Sequence, residues 1–300
     1  MELSWLMRVR IAAAFAIGVG LLGFLPWDIV KPDADGVFSL LSGNISVPDL
    51  LSCAGLAFGA GFLASIVCTP FGAQIGIIAA PAGMAVWAMR SAPLSGLFQA
   101  APAVQSRLVV YSKLKFEGFI WLALAACGFA GAIAADKIFR RKAVDLPDNV
   151  KPVYKLPEFV QCAAAVVATV FISNFFINIF ARGVSFPDSQ LKEVVAQPAN
   201  SQIAFAVMVS FGLCGFLAKR FLSAKAFWPA AASVIITYYF TTVYVKSSIL
   251  VQLAQVWPAV FFQKPITAVL PVQMVSFACL GAVWGYWLAV RYHIWQTQQS

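Results

Sequence analysis

Apolar stretches long enough to cross a bilayer recur along this chain, at 11–27, 49–68, 72–89, 116–135, 158–180, 202–218, 226–245 and 270–290, and the charged residues are held in the intervals between them. A hydrocarbon core of about 30 Å needs about 20 apolar residues as a helix, so each stretch reads as a span. Composition agrees: 61% of residues are hydrophobic and 11% charged, against about 25% charged in soluble domains. The sequence predicts an all-α fold, a polytopic α-helical membrane bundle of about eight transmembrane helices.

The net charge of +9 is not a nucleic-acid signal. No basic run alternates with stacking aromatics, and KIFRRK at 137–142 directly follows an apolar run, where a positive-inside anchor belongs. The lipid bilayer is the expected partner, and no nucleic acid is. Arg8, Arg10, KIFRRK, Lys219, Arg220 and Lys225 assign both termini to the cytoplasm, in a bacterial inner (plasma) membrane. The first run is followed by Pro26-Trp27-Asp28 instead of a small-x-small site, so it is expected to be a retained span. Trp27, Trp87, Trp121 and Trp257 would mark the outer interface, and Trp5, Trp228, Trp287 and Trp295 the inner one.

A second pattern lies on top of the first. SAPLSGLFQAAPA at 91–103 returns 156 residues later as SSILVQLAQVWPA at 247–259, with 6 of 13 positions identical, Gln99/Gln255 among them. Leu94, Leu97, Phe98 and Ala101, like Leu250, Leu253, Ala254 and Trp257, form one apolar helical stripe. Ser91 and Ser247 are expected N-caps, and Pro102 and Pro258 stops. About 20 Å of helix is too short to cross, so both copies are expected as short amphipathic interfacial or re-entrant helices on the outer side. Gly61-Phe62-Leu63-Ala64 returns as Gly215-Phe216-Leu217-Ala218, and Ala126-Cys127 as Ala278-Cys279. The plan is a 4+4 parallel internal repeat: 1–142 as the first four-helix unit, 143–157 as a cytoplasmic linker, and 158–300 as the second. An even number of spans gives both units one orientation, as in transporters whose sites lie between parallel repeats.

Chemistry is sparse. Gly18-Val-Gly20-Leu-Leu-Gly23 sits inside a span with no strand before it, so it reads as helix packing and not as a nucleotide loop, as do the pairs Gly55/Gly59, Gly72/Gly76 and Gly281/Gly285. Six dispersed cysteines make no CxxC and read as small buried residues. Glu117, Asp136 and Glu158 fall near span ends, no acid or base falls mid-span, and the one histidine, His293, lies past the last span. Catalytic residues, metal ligands and cofactors are therefore not expected, and the chain is not expected to be an enzyme. The candidates for a solute path are Gln99 and Gln255, Asn174 and Asn178 four apart on span 5, Gln74 beside the Thr69-Pro70 break, and Thr241 near the outer end of span 7.

Two functions fit. One is a permease or channel for a small neutral or weakly polar solute, its path between the repeats. The alternative is a non-catalytic structural or accessory subunit of a larger membrane complex, with other membrane subunits or further copies of the chain as partners. A continuous polar cavity between the halves favours the first; a half interface sealed by Leu, Phe and Ala favours the second.

Overall fold

A computed structural model describes residues 5–32, 36–41, 45–100, 103–139, 157–257 and 261–299. Helix α1 (Trp5–Gly18) widens into a π-helical turn (Val19–Phe24) and is followed by short α2 (Trp27–Val30). Then come α3 (Val47–Val67), α4 (Gly72–Gly76), α5 (Ala79–Arg90), α6 (Ser95–Ala100) and α7 (Val104–Ile138). The second half holds α8 (Glu158–Phe180), strands β1 (Ser185–Asp188) and β2 (Lys192–Ala196), α9 (Asn200–Leu222), α10 (Phe227–Tyr244), α11 (Ser247–Val256), β3 (Phe261–Phe262) and α12 (Pro271–Gln299). Among the described residues, seven helices are long and apolar enough to cross a membrane, or eight if α10 and α11, bent by 71°, count as one span. This is a multi-pass, α-helical membrane protein.

Local chemistry sets several boundaries. Ser46 and Asp49 form a capping box at the start of α3, each side chain taking the other's backbone N–H. Proline opens α12, where a missing N–H costs nothing. Ser223 ends α9 in the left-handed region, at φ 52°.

Three boundaries depart from the sequence reading. Helix α7 begins at Val104, so the basic segment around Arg107–Lys115 is helical and continuous with the span. Ser91 caps the end of α5 instead of opening the next helix, and α6 covers only Ser95–Ala100. Pro93 disfavours a helical conformation at Ala92, which helps keep the chain out of helix between α5 and α6. Ser247 is the first helical residue of α11, with Lys246 at the cap. The expected stops Pro102 and Pro258, and most of the 143–157 linker, lie outside the described residues.

Helices α3 and α7 pack along their length, as do α9 and α12. Around the first pair, α1 touches α3 and α5, and α5 touches α3 and α7; around the second, α8 touches α9 and α10, and α10 touches α9 and α12. The halves meet where α5 and α7 contact α12, and α7 contacts α10. Small residues make the closest approaches. A Cβ added at Gly61 would strike the Gly128 carbonyl, and one at Gly131 the Phe58 carbonyl. In the second half Gly215 meets Ala282 and Gly285 meets Gly212 in the same way. The Gly18–Gly23 motif lets α1 approach α5, with Gly18 against Ala79 and Gly23 against Val86, and the Trp87 indole donates to the Gly23 carbonyl at 3.1 Å. Gly55 and Gly59, by contrast, face open space.

One end of the bundle is capped. The C-terminal ends of α1, α5, α8 and α10 and the N-terminal ends of α7, α9 and α12 gather there. Trp27 lies against Arg90, Ser91 against Asn200, and Asn200 against Gln273. Segment 36–41, α6, α11 and a three-stranded antiparallel sheet ordered β1-β2-β3 cover this end. Strands β1 and β2 occupy the interval between the fifth and sixth apolar stretches, and β3 follows α11.

Candidate functional site at the capped end

Helix α7 would be about 52 Å long at helical rise, well over the thickness of a hydrocarbon core. From Ile138 to Glu117 is about 32 Å, so Glu117 sits roughly where the span leaves the core. Its side chain is fully buried, at 0% exposure. A buried carboxylate needs hydrogen-bond donors, and segment 36–41 supplies them. The Leu40 amide donates to Oε1, and the Ser39 hydroxyl to Oε2 at 3.2 Å. Among the described residues no cation forms a salt bridge with Glu117.

The neighbouring Phe38 is wedged into aromatic walls. Its ring stacks on Trp87 at 5.5 Å, lies 5.6 Å from Trp121 and 6.2 Å from Trp27. Trp87 and Trp121 are themselves fully buried, so they are interior residues and not the interfacial anchors expected. The Trp121 indole N–H has no partner among the described residues. The Arg90 guanidinium lies 3.5 Å above the Trp27 ring at the rim.

A chain of hydrogen bonds carries this arrangement across to the second half. The Phe38 amide donates to Ser91 Oγ at 2.9 Å, and the Gly36 carbonyl accepts from the Ala92 amide at 2.8 Å. Asn200 Nδ2 donates to the Ser91 carbonyl at 2.6 Å. Gln273 Nε2 donates to Asn200 Oδ1 at 3.0 Å, and Gln273 Oε1 accepts from the Leu270 amide at 3.1 Å. The buried amide of Gln273, 1% exposed, is thereby satisfied at both ends.

Beside this lies a second polar cluster. Asp188 ends β1 and accepts the Gln190 and Leu191 amides at 2.9 and 2.8 Å, and Gln252 Nε2 and the Trp257 indole at 3.4 and 3.3 Å. The Leu191 amide, reinforced by the other donors, holds its carboxyl below the usual carboxylate range. Glu193 is also held low, by the Ser185 hydroxyl and then by Arg182, with which it forms an exposed salt bridge.

The residues singled out in the sequence are dispersed. Gln99 and Gln255 are exposed on α6 and α11. Asn174 and Asn178 bond to each other within α8, Asn178 Nδ2 donating to Asn174 Oδ1 at 2.7 Å. Gln74 is in α4, beside the turn at Thr69-Pro70, with its carbonyl oxygen buried and unpartnered among the described residues. Thr241 is half-buried on the last turn of α10. Among the described residues only the two asparagines bond to one another. Hydroxyls inside the spans are turned inward on their own helices. Thr169, Ser173, Ser210, Ser233 and Thr237 each donate to a carbonyl three or four residues back.

The sequence reading passes over Ser39, Asn200 and Gln273. Glu117 is counted there as a span-end residue. A lone acid in Phe116-Glu117-Gly118-Phe119-Ile120, at the edge of an apolar run, is the signal that was present. A scan against family models and searches of curated proteins and of solved structures found no match.

Proposed function

We propose that the chain is two parallel copies of a four-span unit and that it serves as a non-catalytic structural or accessory subunit of a membrane assembly, capped end outward. The duplication is supported by contacts that correspond at one fixed offset. Gly61 meets Gly128 as Gly215 meets Ala282, and Gly131 meets Phe58 as Gly285 meets Gly212, each residue of the second set 154 positions after its counterpart. The helix pairings within the two halves also correspond one for one, and exchanging the halves turns the α5–α12 contact into α10–α7.

The observation that carries the functional reading is the closed seam between the halves. One buried apolar cluster runs from Leu22 and Met84 through Trp121 and Ala125 to Val234 and Phe277. The span hydroxyls that could line a path are spent on their own backbones. Asn200 and Gln273 of the second half bond to each other and donate across the seam to the Ser91 and Ala88 carbonyls, as expected of an interface that stays shut.

Reconstitution tests this. Under a glycerol or urea gradient, proteoliposomes should shrink no faster than protein-free vesicles. Mild detergent extraction should recover the chain in fixed stoichiometry with a different membrane protein. Accelerated, saturable shrinkage that is lost in Gln99→Ala/Gln255→Ala would restore the permease reading.

A further inference from the structure

The capped end contains a buried acid that forms no salt bridge among the described residues, beside a set of aromatic faces already filled by a residue of the same chain. Independently of the function proposed above, we propose that segment 36–41 is a plug seated in a binding site for an alkylammonium cation, with Phe38 filling an aromatic box of Trp27, Trp87 and Trp121 beside the Glu117 carboxylate.

Each part of the box suits that class of ligand. Aromatic faces attract soft organic cations through their quadrupoles, most strongly when water is excluded. Trp87 and Trp121 have ring centroids 5.9 Å apart and planes inclined at 57°, so they present two walls of a corner instead of a flat stack. Trp27 supplies the rim and already carries a cation there, the Arg90 guanidinium at 3.5 Å. Glu117 lies one helical turn from Trp121, on the same face of α7. Its two oxygens are held by neutral donors from the plug, the Ser39 hydroxyl and the Leu40 and Leu41 amides. One carboxylate and one hydroxyl make a poor set for a metal ion, which wants six or more oxygens or a tetrahedral nitrogen and sulfur set.

Beside the box the fully buried Trp121 indole N–H has no partner among the described residues. An alkylammonium carrying a hydroxyl or ester oxygen, such as choline, would meet the carboxylate, the rings and that donor together. Outside the box the segment is held by the Phe38 amide on Ser91 Oγ, by the Gly36 carbonyl on the Ala92 amide, and by the burial of Val37 and Leu40. Its withdrawal frees the acid and the rings together.

The test uses the full chain in phosphatidylglycerol nanodiscs, which carry no ammonium headgroup, with choline titrated and tryptophan fluorescence read. Phe38→Ala should bind choline saturably and about tenfold or more tighter than the wild type, and Phe38→Ala/Glu117→Gln should lose that gain. Ser91→Ala, which loosens the plug and leaves the box intact, should shift the wild-type titration in the same direction. It keeps the proposal testable if Phe38→Ala does not fold. In phosphatidylcholine nanodiscs the Phe38→Ala signal should already be saturated if the source is a lipid headgroup, and should still titrate if the source is a free solute. Absence of saturable binding in both loosened variants, or equal binding with and without the Glu117 carboxylate, overturns the proposal.

Discussion

Glycine shows at the level of single residues what a sequence motif can and cannot say. Gly55 and Gly59 carry the same four-residue spacing as Gly281 and Gly285, yet only the second pair meets another helix. On α3 the buried face is Ala57, Ala60, Gly61 and Ala64, and Gly55 and Gly59 fall off it. Spacing gives a stripe, but not which stripe is covered. Gly131→Ala and Gly285→Ala should each destabilise the bundle by about 1–3 kcal/mol, because the new methyl meets a backbone carbonyl that cannot swing aside. Gly55→Ala should be neutral or stabilising by up to about 1 kcal/mol through helix propensity. Unfolding midpoints in mixed detergent micelles read both effects. If Gly55→Ala costs as much as Gly285→Ala, the packing assignment is wrong. Glu117 was hidden for a related reason. Its donors, Ser39 and Leu40, come from a loop 78 and 77 residues away in sequence, and no local pattern links them.

At the level of elements, span positions were legible because each is a long apolar run, whereas ends and caps were not. The start of α7 was misread because Arg107, Lys113 and Lys115 suggest a loop. Val104, Leu108, Tyr111 and Leu114 nevertheless continue the apolar face of the helix into that segment, and Tyr111 packs on Phe98 at 4.9 Å. The sheet escaped because a four-residue strand such as Ser185–Asp188 is too short for period-two alternation to stand out. Its contact with α11 runs through the Asp188 carboxylate, which accepts from Gln252 and the Trp257 indole. Asp188 is held below its ordinary value, so its contribution is present above the usual carboxylate range, about 4, and is lost as pH falls through the lowered value. The fluorescence difference between wild type and Trp257→Phe isolates the indole that donates to Asp188. That difference should be flat from neutral pH down to about 4 and change below it. Asp188→Asn should remove the transition and show the acid-state signal at neutral pH. A transition that survives Asp188→Asn would move the effect to Glu193, which is held low by Ser185 and Arg182.

For the whole molecule, the question is what keeps the two apolar halves together in a solvent as apolar as themselves. Lipid tails compete equally for Leu and Phe, so the hydrophobic effect gives the seam little, and shape and hydrogen bonds must supply the preference. The seam has both. Gly118 of α7 sits against Val234 of α10, a Cβ there being 3.7 Å from the valine side chain. Asn200, Ser91 and Gln273 join α9, α5 and α12 at the capped end. Neither contact depends on the chain being continuous between the halves. Residues 1–142 and 143–300, expressed as two polypeptides, should therefore copurify through a tag on either one. Gly118→Leu adds a branched side chain where only van der Waals room exists, and it should cost about 1–3 kcal/mol at the seam. Recovery of the untagged half should fall by about tenfold at fixed expression. Gly55→Leu, on a face with nothing within 4 Å, is the matched control and should leave recovery unchanged. Equal recovery in both variants would mean that α7 and α10 do not form the seam. Failure of the wild-type halves to copurify would mean that the two units are not separable bodies, and the duplicated plan would lose its energetic basis.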